Sequence, residues 1–196
     1  MPVIGLEIHA ELKTKSKMFC ACANDPFIDT PNVHVCEVCL AHPGTLPVPN
    51  REAIADTVKI AKALGCTIAL TSKFDRKHYF YPDLPKGYQI SQYDEPIGSK
   101  GAIRLDLRLD TNGRDSADIG ITRVHLEEDT AQLMHNATGN TLVNFNRAGV
   151  PLVEIVSEPD IESGVEARWY CQELQKIFRY LGVSDADMEK GQMRCE

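Results

Sequence analysis

Apolar and polar side chains alternate with a period of two residues in three stretches of the chain. These stretches are residues 2–12, 102–110 and 121–129. Such alternation places one set of side chains in a core and the other set in solvent, so it predicts three half-buried strands. Asn112-Gly113 lies between the second and third stretches and has the composition of a two-residue hairpin turn. These two strands are therefore predicted to pair antiparallel.

Apolar residues at spacings of three and four predict two helices. The first covers residues 51–64, with Asn50 as its N-cap and Gly65 after its last turn. The second begins at a capping box formed by Ser163 and Glu166, and a glycine marks its end. Together with the strands, these helices predict an α+β fold in which an antiparallel sheet is packed with helices.

The 196 residues carry a formal net charge of −7, with 25% charged and 43% hydrophobic residues. This composition is typical of a soluble globular protein, and the length suits one large domain. A net negative charge repels the phosphate backbone, so it argues against nonspecific nucleic-acid binding by overall electrostatic attraction. A local basic groove is compatible with this charge. No segment has the pattern of a membrane span or a signal peptide. We predict a cytoplasmic protein, with an organelle interior as the alternative.

Four of the seven cysteines occur as two close pairs within residues 18–42. One residue separates Cys20 from Cys22, and two residues separate Cys36 from Cys39. Two close pairs joined by a short loop are typical of a structural Zn²⁺ site, although the first pair is tighter than the usual spacing. Four thiolates close the coordination sphere, so we predict a structural zinc loop. Unligated thiols or a labile site are the alternatives.

Acidic residues follow a histidine at the end of the third alternating stretch. Residues 125–129 read His-Leu-Glu-Glu-Asp. One imidazole and several carboxylates suit Mg²⁺ or Mn²⁺ better than a soft metal. Strict alternation places His125 and Glu127 on one face and Glu128 on the other, unless a bulge or strand end at Glu127 reconciles them. A solvated strand end is the alternative interpretation.

Two further stretches carry ligands of the same kind. Glu7 and His9 share one face of the first strand. This face is either a solvent-exposed side of the sheet or part of a metal or phosphate site. Glu154 interrupts an apolar run at residues 152–156 that predicts another strand. A buried carboxylate requires a partner, because its burial alone costs several kcal/mol or forces its protonation. The alternatives are an ion pair with Arg147 and a bound metal.

Residues 73–93 combine cations with aromatic rings in an otherwise acidic chain. The cations are Lys73, Arg76, Lys77 and Lys86, and the aromatic residues include Tyr81 and Tyr88. Basic and aromatic side chains together suit a phosphate and a stacked base, as in a nucleotide or an RNA 3′ end. Aromatic residues beside prolines that pack a loop onto the core are the alternative.

Motifs throughout the chain carry a family resemblance. They occupy residues 5–9, 72–77, 79–83, 85–93, 120–123, 125–129, 146–154 and 157–160. In sequence and order they resemble the B subunit of aspartyl/glutamyl-tRNA(Asn/Gln) amidotransferases, the GatB or Pet112-like family. The resemblance implies a ligase that phosphorylates the side-chain carboxylate of Glu-tRNA(Gln) or Asp-tRNA(Asn) with ATP and then amidates it. It also implies a catalytic cradle domain, residues 1–196, whose fold is similar to the glutamine synthetase catalytic core.

The resemblance also implies roles for individual residues. The implied Mg²⁺ ligands are Glu7, His9, Glu128, Glu154 and Glu196, with Glu127 adjacent. The predicted catalytic residues are Glu128, Glu154, Lys77 and Lys86, and the predicted nucleotide-binding residues are Lys73, Arg76, Tyr81 and Tyr88. The four paired cysteines match zinc ligands that many members have.

The implied partners are the tRNA acceptor end, an amidase-type A subunit, which supplies ammonia, and a small C subunit.

The chain departs from the family pattern in two ways. Asn144 stands where the family pattern has Asp, which puts that position's role in doubt. The family also continues beyond Glu196 with helical and tRNA-binding tail domains, so we expect an incomplete cradle without amidotransferase activity of its own. The alternative function is a zinc-stabilised RNA-binding or assembly module that keeps the fold without the chemistry.

Overall fold

The helices and strands are those of a computed structural model, which describes residues 2–108, 114–135 and 139–196. The strands are β1 (Glu7–Glu11), β2 (Thr67–Ile68), β3 (Asp75–His78), β4 (Tyr88–Ser91), β5 (Gly98–Asp106), β6 (Ser116–Glu128), β7 (Gln132–His135), β8 (Thr141–Asn144), β9 (Pro151–Ser157) and β10 (Met193–Cys195). The helices are α1 (Arg51–Ala63) and α2 (Gly164–Leu181).

Six of the strands form one sheet in the order β10-β1-β9-β6-β5-β2, and all neighbours are antiparallel. Two smaller sheets pair β3 with β4 and β7 with β8. The α+β class with an antiparallel sheet and packed helices is thus confirmed, while the likeness to glutamine synthetase stays a prediction. The order places β1, β9 and β6 side by side, and these strands carry the acidic motifs.

The predicted antiparallel pairing of the second and third alternating stretches is confirmed, but the strand limits differ. β5 begins at Gly98 rather than at residue 102, and β6 begins at Ser116 rather than at residue 121. The extra length of β5 pairs with the short edge strand β2, which the alternation pattern does not indicate. The turn predicted at Asn112-Gly113 lies outside the described residues.

Both helices pack against the large sheet, and the hydrophobic core lies between them and its strands. The fully buried residues include Ile60 of α1 and Phe178 of α2. Gly98 allows α1 to approach β5 closely, because a Cβ at this position would lie only 2.7 Å from the Cβ of Ala61. Alternation along the strands sends the histidine and carboxylate side chains to the opposite face of the sheet.

The predicted cap residues are confirmed, but the capping box of α2 is only half formed, because the Glu166 carboxylate accepts from the Glu162 N–H at 2.8 Å rather than from that of Ser163. The Asn50 side chain accepts hydrogen bonds from the backbone N–H groups of Glu52 and Ala53 at the start of α1. Ser163 accepts from the Glu166 N–H at the start of α2, and Gly182 ends that helix in the left-handed region at φ 68°. Within the described ranges, neither helix combines the length and the apolar character that a bilayer crossing requires.

Candidate active site and cysteine cluster

Three neighbouring strands contribute one row of side chains to the polar face of the sheet. His9 on β1 and His125 on β6 both lie in register with Glu154 on β9. Each histidine contacts the same carboxylate oxygen: the Nε2–Oε2 distances are 3.2 Å from His9 and 3.3 Å from His125. The buried Glu154 therefore has two imidazole partners supplied by strand pairing.

Glu127 lies beside this row, two residues after His125 on the same face of β6. Its carboxylate oxygens are 3.6 Å from the His9 Nε2 and 3.7 Å from the His125 Nε2. Ser91 of β4 donates a hydrogen bond of 2.9 Å to Glu127 Oε2 and so fixes the carboxylate. The ligand atoms of His9, Glu127 and Glu154 all lie within 4.8 Å of one another. One imidazole and two carboxylates in this arrangement fit a hard divalent cation such as Mg²⁺.

Charges within this group stabilise one another. Burial opposes ionisation of Glu154, but the hydrogen bonds from His125 and His9 outweigh burial and hold the Glu154 pKa below its usual range. Burial likewise disfavours charged imidazoles, yet contacts with the two glutamates raise the pKa of both His9 and His125. The carboxylates therefore attract positive charge, whether from protons or from a cation.

Glu128 lies away from this group, as strict alternation predicts. Its Oε1 accepts a hydrogen bond of 3.0 Å from the Ile90 backbone N–H and forms an ion pair with Lys86. Burial raises the pKa of Glu128, and the charge of Lys86 counteracts part of this effect. The register along β6 is continuous through Glu127 and shifts only between Ile121 and Arg123, so the bulge suggested at Glu127 is absent. The role of Glu128 as a magnesium ligand stays a prediction.

Glu7 and Glu196 meet at the start of β1. The Glu196 N–H donates to the Glu7 carbonyl at 2.9 Å, and the Glu7 N–H donates to the Glu196 carbonyl at 3.0 Å. Glu7 is exposed at the rim of the same cleft as Glu154. Among the described residues, neither carboxylate belongs to the close metal-ligand group.

Of the two alternatives for the partner of Glu154, the ion pair with Arg147 is not formed. Arg147 donates instead to the backbone carbonyls of Thr130 and Ala131, and its Nε lies 3.8 Å from Asp129 Oδ2. Arg147 belongs to the turn before β9, which lies at the C-terminal end of β6 rather than over the middle of β9. The basic partner of Glu154 is Arg123, whose Nη2 lies 3.7 Å from Glu154 Oε1.

Arg123 is a site residue that the sequence patterns above do not single out. Its guanidinium also stacks on the Tyr93 ring at 5.5 Å, and its buried Nε has no hydrogen-bond partner among the described residues. The period of two residues that groups His125 with Glu127 also places Arg123 on this face, so alternation carries a signal for it. No comparable signal identifies Ser91, because its contact with Glu127 depends on where the β3–β4 hairpin docks.

A cleft of about 670 Å³ opens over the row. One side is the polar face of the sheet, and the other is the β3–β4 hairpin with the segments around it. The lining residues with charge or aromatic rings are Glu7, Lys73, Asp75, Arg76, Lys77, Tyr93, Asp94, Arg123, His125 and Glu154. Lys73 is paired with Asp94 at 3.0 Å. The cleft is thus lined by carboxylates and the His125 imidazole on the sheet side and by cations around the hairpin.

The basic and aromatic residues predicted to bind the nucleotide or to act in catalysis are divided between two clefts. Lys73, Arg76 and Lys77 line the large cleft, whereas Lys86 and Tyr88 line a separate cleft of about 240 Å³ beside the cysteine loop. Arg76 stacks on the Tyr88 ring at 4.5 Å and so connects the two groups. Tyr81, in the loop between β3 and β4, is 60% exposed.

A second carboxylate pair lies near the end of β1. The buried Glu11 faces Asp129, which is held by the Arg194 guanidinium at 2.9 Å. Burial, reinforced by the Asp129 charge, raises the pKa of Glu11 to about 8. The sequence pattern groups Glu11 with Glu7 and His9, but it gives no sign of this pairing.

The four paired cysteines converge as the spacing predicts. The sulfur atoms of Cys20, Cys22, Cys36 and Cys39 all lie within 4.8 Å of one another, which fits a tetrahedral metal ion. Hydrogen bonds from the Cys20 thiol and the Cys36 backbone N–H, together with the Lys17 charge, outweigh burial and lower the pKa of Cys39 to about 5. Burial raises the Cys22 pKa to about 11. The surroundings of Cys39 thus stabilise its thiolate, the form that binds a metal ion.

Three asparagines fasten the cysteine loop to the segment before β9. Asn146 Oδ1 accepts from the N–H groups of Val33 and His34, at 2.9 and 3.0 Å. Asn144 Oδ1 accepts from the Asn32 N–H at 3.2 Å and from the Asn146 N–H at 3.1 Å. Both contacts of Asn144 use an oxygen acceptor, which Asp also has. The departure from the family pattern at Asn144 therefore preserves this fastening.

Comparison with known proteins finds related sequences along the whole chain. The family model described as the GatB/GatE catalytic domain matches residues 2–196. The chain is 53% identical over 195 residues to the chloroplastic/mitochondrial glutamyl-tRNA(Gln) amidotransferase B subunit of Sorghum bicolor, covering 99% of this chain and 35% of that protein. It is 54% identical to the aspartyl/glutamyl-tRNA(Asn/Gln) amidotransferase B subunit of Brevibacillus brevis, covering 99% and 40%. For the Thermotoga petrophila protein of the same name the identity is 54%, covering 100% and 40%. The chain thus spans 35–40% of the length of these relatives.

Proposed function

The chain belongs to the GatB/GatE catalytic domain family, and from this premise we propose that it carries the phosphorylation and amidation site of a tRNA-dependent amidotransferase. The proposed substrate is the side-chain carboxylate of Glu-tRNA(Gln), Asp-tRNA(Asn) or both. The observation that carries the proposal is the close group of His9, Glu127 and Glu154, whose member Glu154 lines a cleft that cations also line. A divalent cation and a cationic wall are what phosphoryl transfer requires.

The proposed reaction has two steps. The γ-phosphoryl group of ATP passes to the substrate carboxylate, which gives an acyl phosphate and ADP. Ammonia then attacks the activated carbonyl carbon, inorganic phosphate leaves with the C–O bond electrons, and the nitrogen loses a proton to give the amide. Both steps involve anionic phosphate oxygens, so cations that are in place before the reaction lower both barriers.

Magnesium, when bound, would neutralise charge on the transferring phosphate, and His9, Glu127 and Glu154 are the residues that would hold it. Ser91 keeps Glu127 oriented through its 2.9 Å hydrogen bond. Arg123, Arg76 and Lys77 provide positive charge along the cleft for the phosphate groups. The exposed ring of Tyr93, which stacks on Arg123, offers a flat apolar surface at the same place.

The remaining roles follow the family resemblance. Glu7 and Glu196 are proposed to complete the magnesium site from its rim, and Glu128 with Lys86 is proposed to act next to it. Zinc is proposed as a structural ion in the cysteine cluster. The proposed partners are the tRNA acceptor end, an amidase-type A subunit, and a small C subunit. Because ammonia is proposed to come from a separate amidase chain, we expect no glutamine-dependent activity from this chain alone.

Calorimetric titration with Mg²⁺ and ATP tests the proposal directly. We expect the zinc-loaded chain to bind ATP only with Mg²⁺, and Glu154→Gln to weaken this binding at least about tenfold, or ~1.4 kcal/mol. Glu189→Gln is the matched control, because Glu189 is exposed and lines neither of the two clefts. If the folded wild-type chain binds no ATP with Mg²⁺, the proposal fails and a zinc-stabilised RNA-binding or assembly module is favoured.

A further inference from the structure

A fully buried lysine lies beside the cysteine cluster. Lys17 has a relative exposure of 0%, yet it does not belong to the cysteine motif or to the cleft. Its Nζ lies 2.7 Å from the His34 carbonyl oxygen, 3.1 Å from the Phe145 carbonyl oxygen and 3.9 Å from Cys39 Sγ. These three contacts are all with acceptors, and an ammonium group has three N–H donors to satisfy them.

An ammonium group buried to this extent requires a negative partner, because an isolated buried charge is very unfavourable. Among the described residues, no carboxylate lies within ion-pair distance of Lys17 Nζ. The two carbonyl oxygens supply dipoles but no net charge. Within the described part of the chain, Cys39 Sγ is therefore the only atom in contact with Lys17 Nζ that can carry the balancing charge, and it belongs to the cysteine cluster.

We infer that Lys17 is the built-in counter-charge of a four-thiolate metal centre. Four thiolates around a divalent cation carry a net charge of −2, and the adjacent ammonium reduces the total to −1. Without the metal the cluster carries at most the single charge of the Cys39 thiolate, so the lysine stabilises the more negative metal-bound form to a greater extent. Lys17 is a positioning residue in this role, since it acts on the ion through Cys39.

The same lysine joins the metal centre to the rest of the domain. Its contact with the Phe145 carbonyl reaches the segment before β9, and the Met18 N–H donates to the Gly149 carbonyl at 2.7 Å. Lys17 thus fixes the cysteine loop and the entry to β9 relative to each other. This inference is independent of the proposed amidotransferase activity, because it concerns only metal retention.

The test compares Lys17→Met with Lys15→Met in the full chain. Lys15 is two residues away and exposed, so it controls for a general loss of positive charge. Zinc affinity is measured by competition with a chromophoric chelator, and bound zinc by metal analysis. We expect Lys17→Met to bind zinc about 10–100-fold more weakly, as is usual when a residue supporting a metal ligand is removed, and Lys15→Met to match wild type. Equal zinc affinity of Lys17→Met and wild type would overturn the inference.

Unfolding measurements separate a charge-balancing role from simple packing. We expect Lys17→Met to destabilise the zinc-loaded chain more than the metal-free chain, because the loaded cluster carries a net charge of −2, whereas the metal-free cluster carries at most the single charge of the Cys39 thiolate. A purely structural lysine would give the same loss in both states, and that result would contradict the inference. If Lys17→Met does not fold, Lys17→Gln keeps amide donors for the carbonyl oxygens and removes the charge. Weaker zinc binding by folded Lys17→Gln supports the inference, and wild-type affinity refutes it.

Discussion

Replacing Glu11 by Gln should stabilise the protein at neutral and alkaline pH. Burial and the facing Asp129 carboxylate raise the Glu11 pKa to about 8 from an ordinary value of 4.5. Because the folded-state value is the higher one, the stability contributed by protonated Glu11 is complete below about pH 4.5 and is lost as the pH rises through about 8. One proton corresponds to ~1.4 kcal/mol per pH unit. Between about pH 4.5 and 8 the free energy of unfolding can therefore fall by at most about 5 kcal/mol.

Gln has almost the shape of protonated Glu and keeps a donor for Asp129, but it does not ionise. Urea unfolding, followed by the fluorescence of the single tryptophan, Trp169, gives the free energy of unfolding at each pH. Between about pH 5 and 8 we expect the wild-type value to fall relative to Glu11→Gln by up to ~1.4 kcal/mol per pH unit. Zinc is retained in the buffer and magnesium is omitted, so that cation binding in the cleft does not contribute.

The exposed Glu189→Gln is the matched control, and its curve should run parallel to that of wild type. Other groups that titrate in this range, such as His9 and His125, are present in all three proteins and largely cancel in the comparison. A constant difference between wild type and Glu11→Gln from pH 5 to pH 9 would show that Glu11 is ionised throughout. The conclusion that burial and Asp129 keep Glu11 protonated at neutral pH would then be wrong.

Four further changes test other parts of the structure. Phe178→Ala should lower the free energy of unfolding by about 3–5 kcal/mol, because the ring is fully buried in the core; urea unfolding measures this. Ser163→Ala removes the N-cap of α2 and should cost about 1 kcal/mol, seen as a lower Tm. Asn144→Asp should leave zinc affinity and Tm within experimental error of wild type, because both contacts use an oxygen acceptor; a large loss of zinc would refute this. Arg123→Gln should weaken binding of Mg²⁺-ATP about tenfold, ~1.4 kcal/mol, by calorimetry, while leaving zinc content unchanged; unaltered ATP affinity would remove Arg123 from the phosphate site.

The features that could be predicted from the sequence are those that depend on neighbours along the chain. Alternation places Glu127 with His125 and Glu128 on the other face, and capping residues locate both ends of α2. The spacing of the cysteines correctly predicts that four sulfur atoms converge, because a short loop limits where they can lie. The family itself is identified by its motifs.

Contacts between distant elements could not be predicted in this way. Arg147 is near Glu154 in sequence, yet the arginine beside Glu154 is Arg123. Strand pairing, not proximity along the chain, decides which side chains meet. The ion pair of Lys86 with Glu128 depends on where the β3–β4 hairpin docks on β6, which no local pattern records. That docking also divides the cations of residues 73–93 between two clefts.

His9, Glu154 and His125 lie side by side only while β1, β9 and β6 keep their present register. Successive β9 side chains face opposite sides of the sheet, so a slip of one residue would replace Glu154 in the row by Val153 or Ile155 and turn the carboxylate toward the core. An insertion between residues 145 and 150 therefore has two outcomes: the turn absorbs it completely, or the row is lost. No intermediate register keeps part of this row. Such an insertion therefore either leaves the three side chains together or separates them.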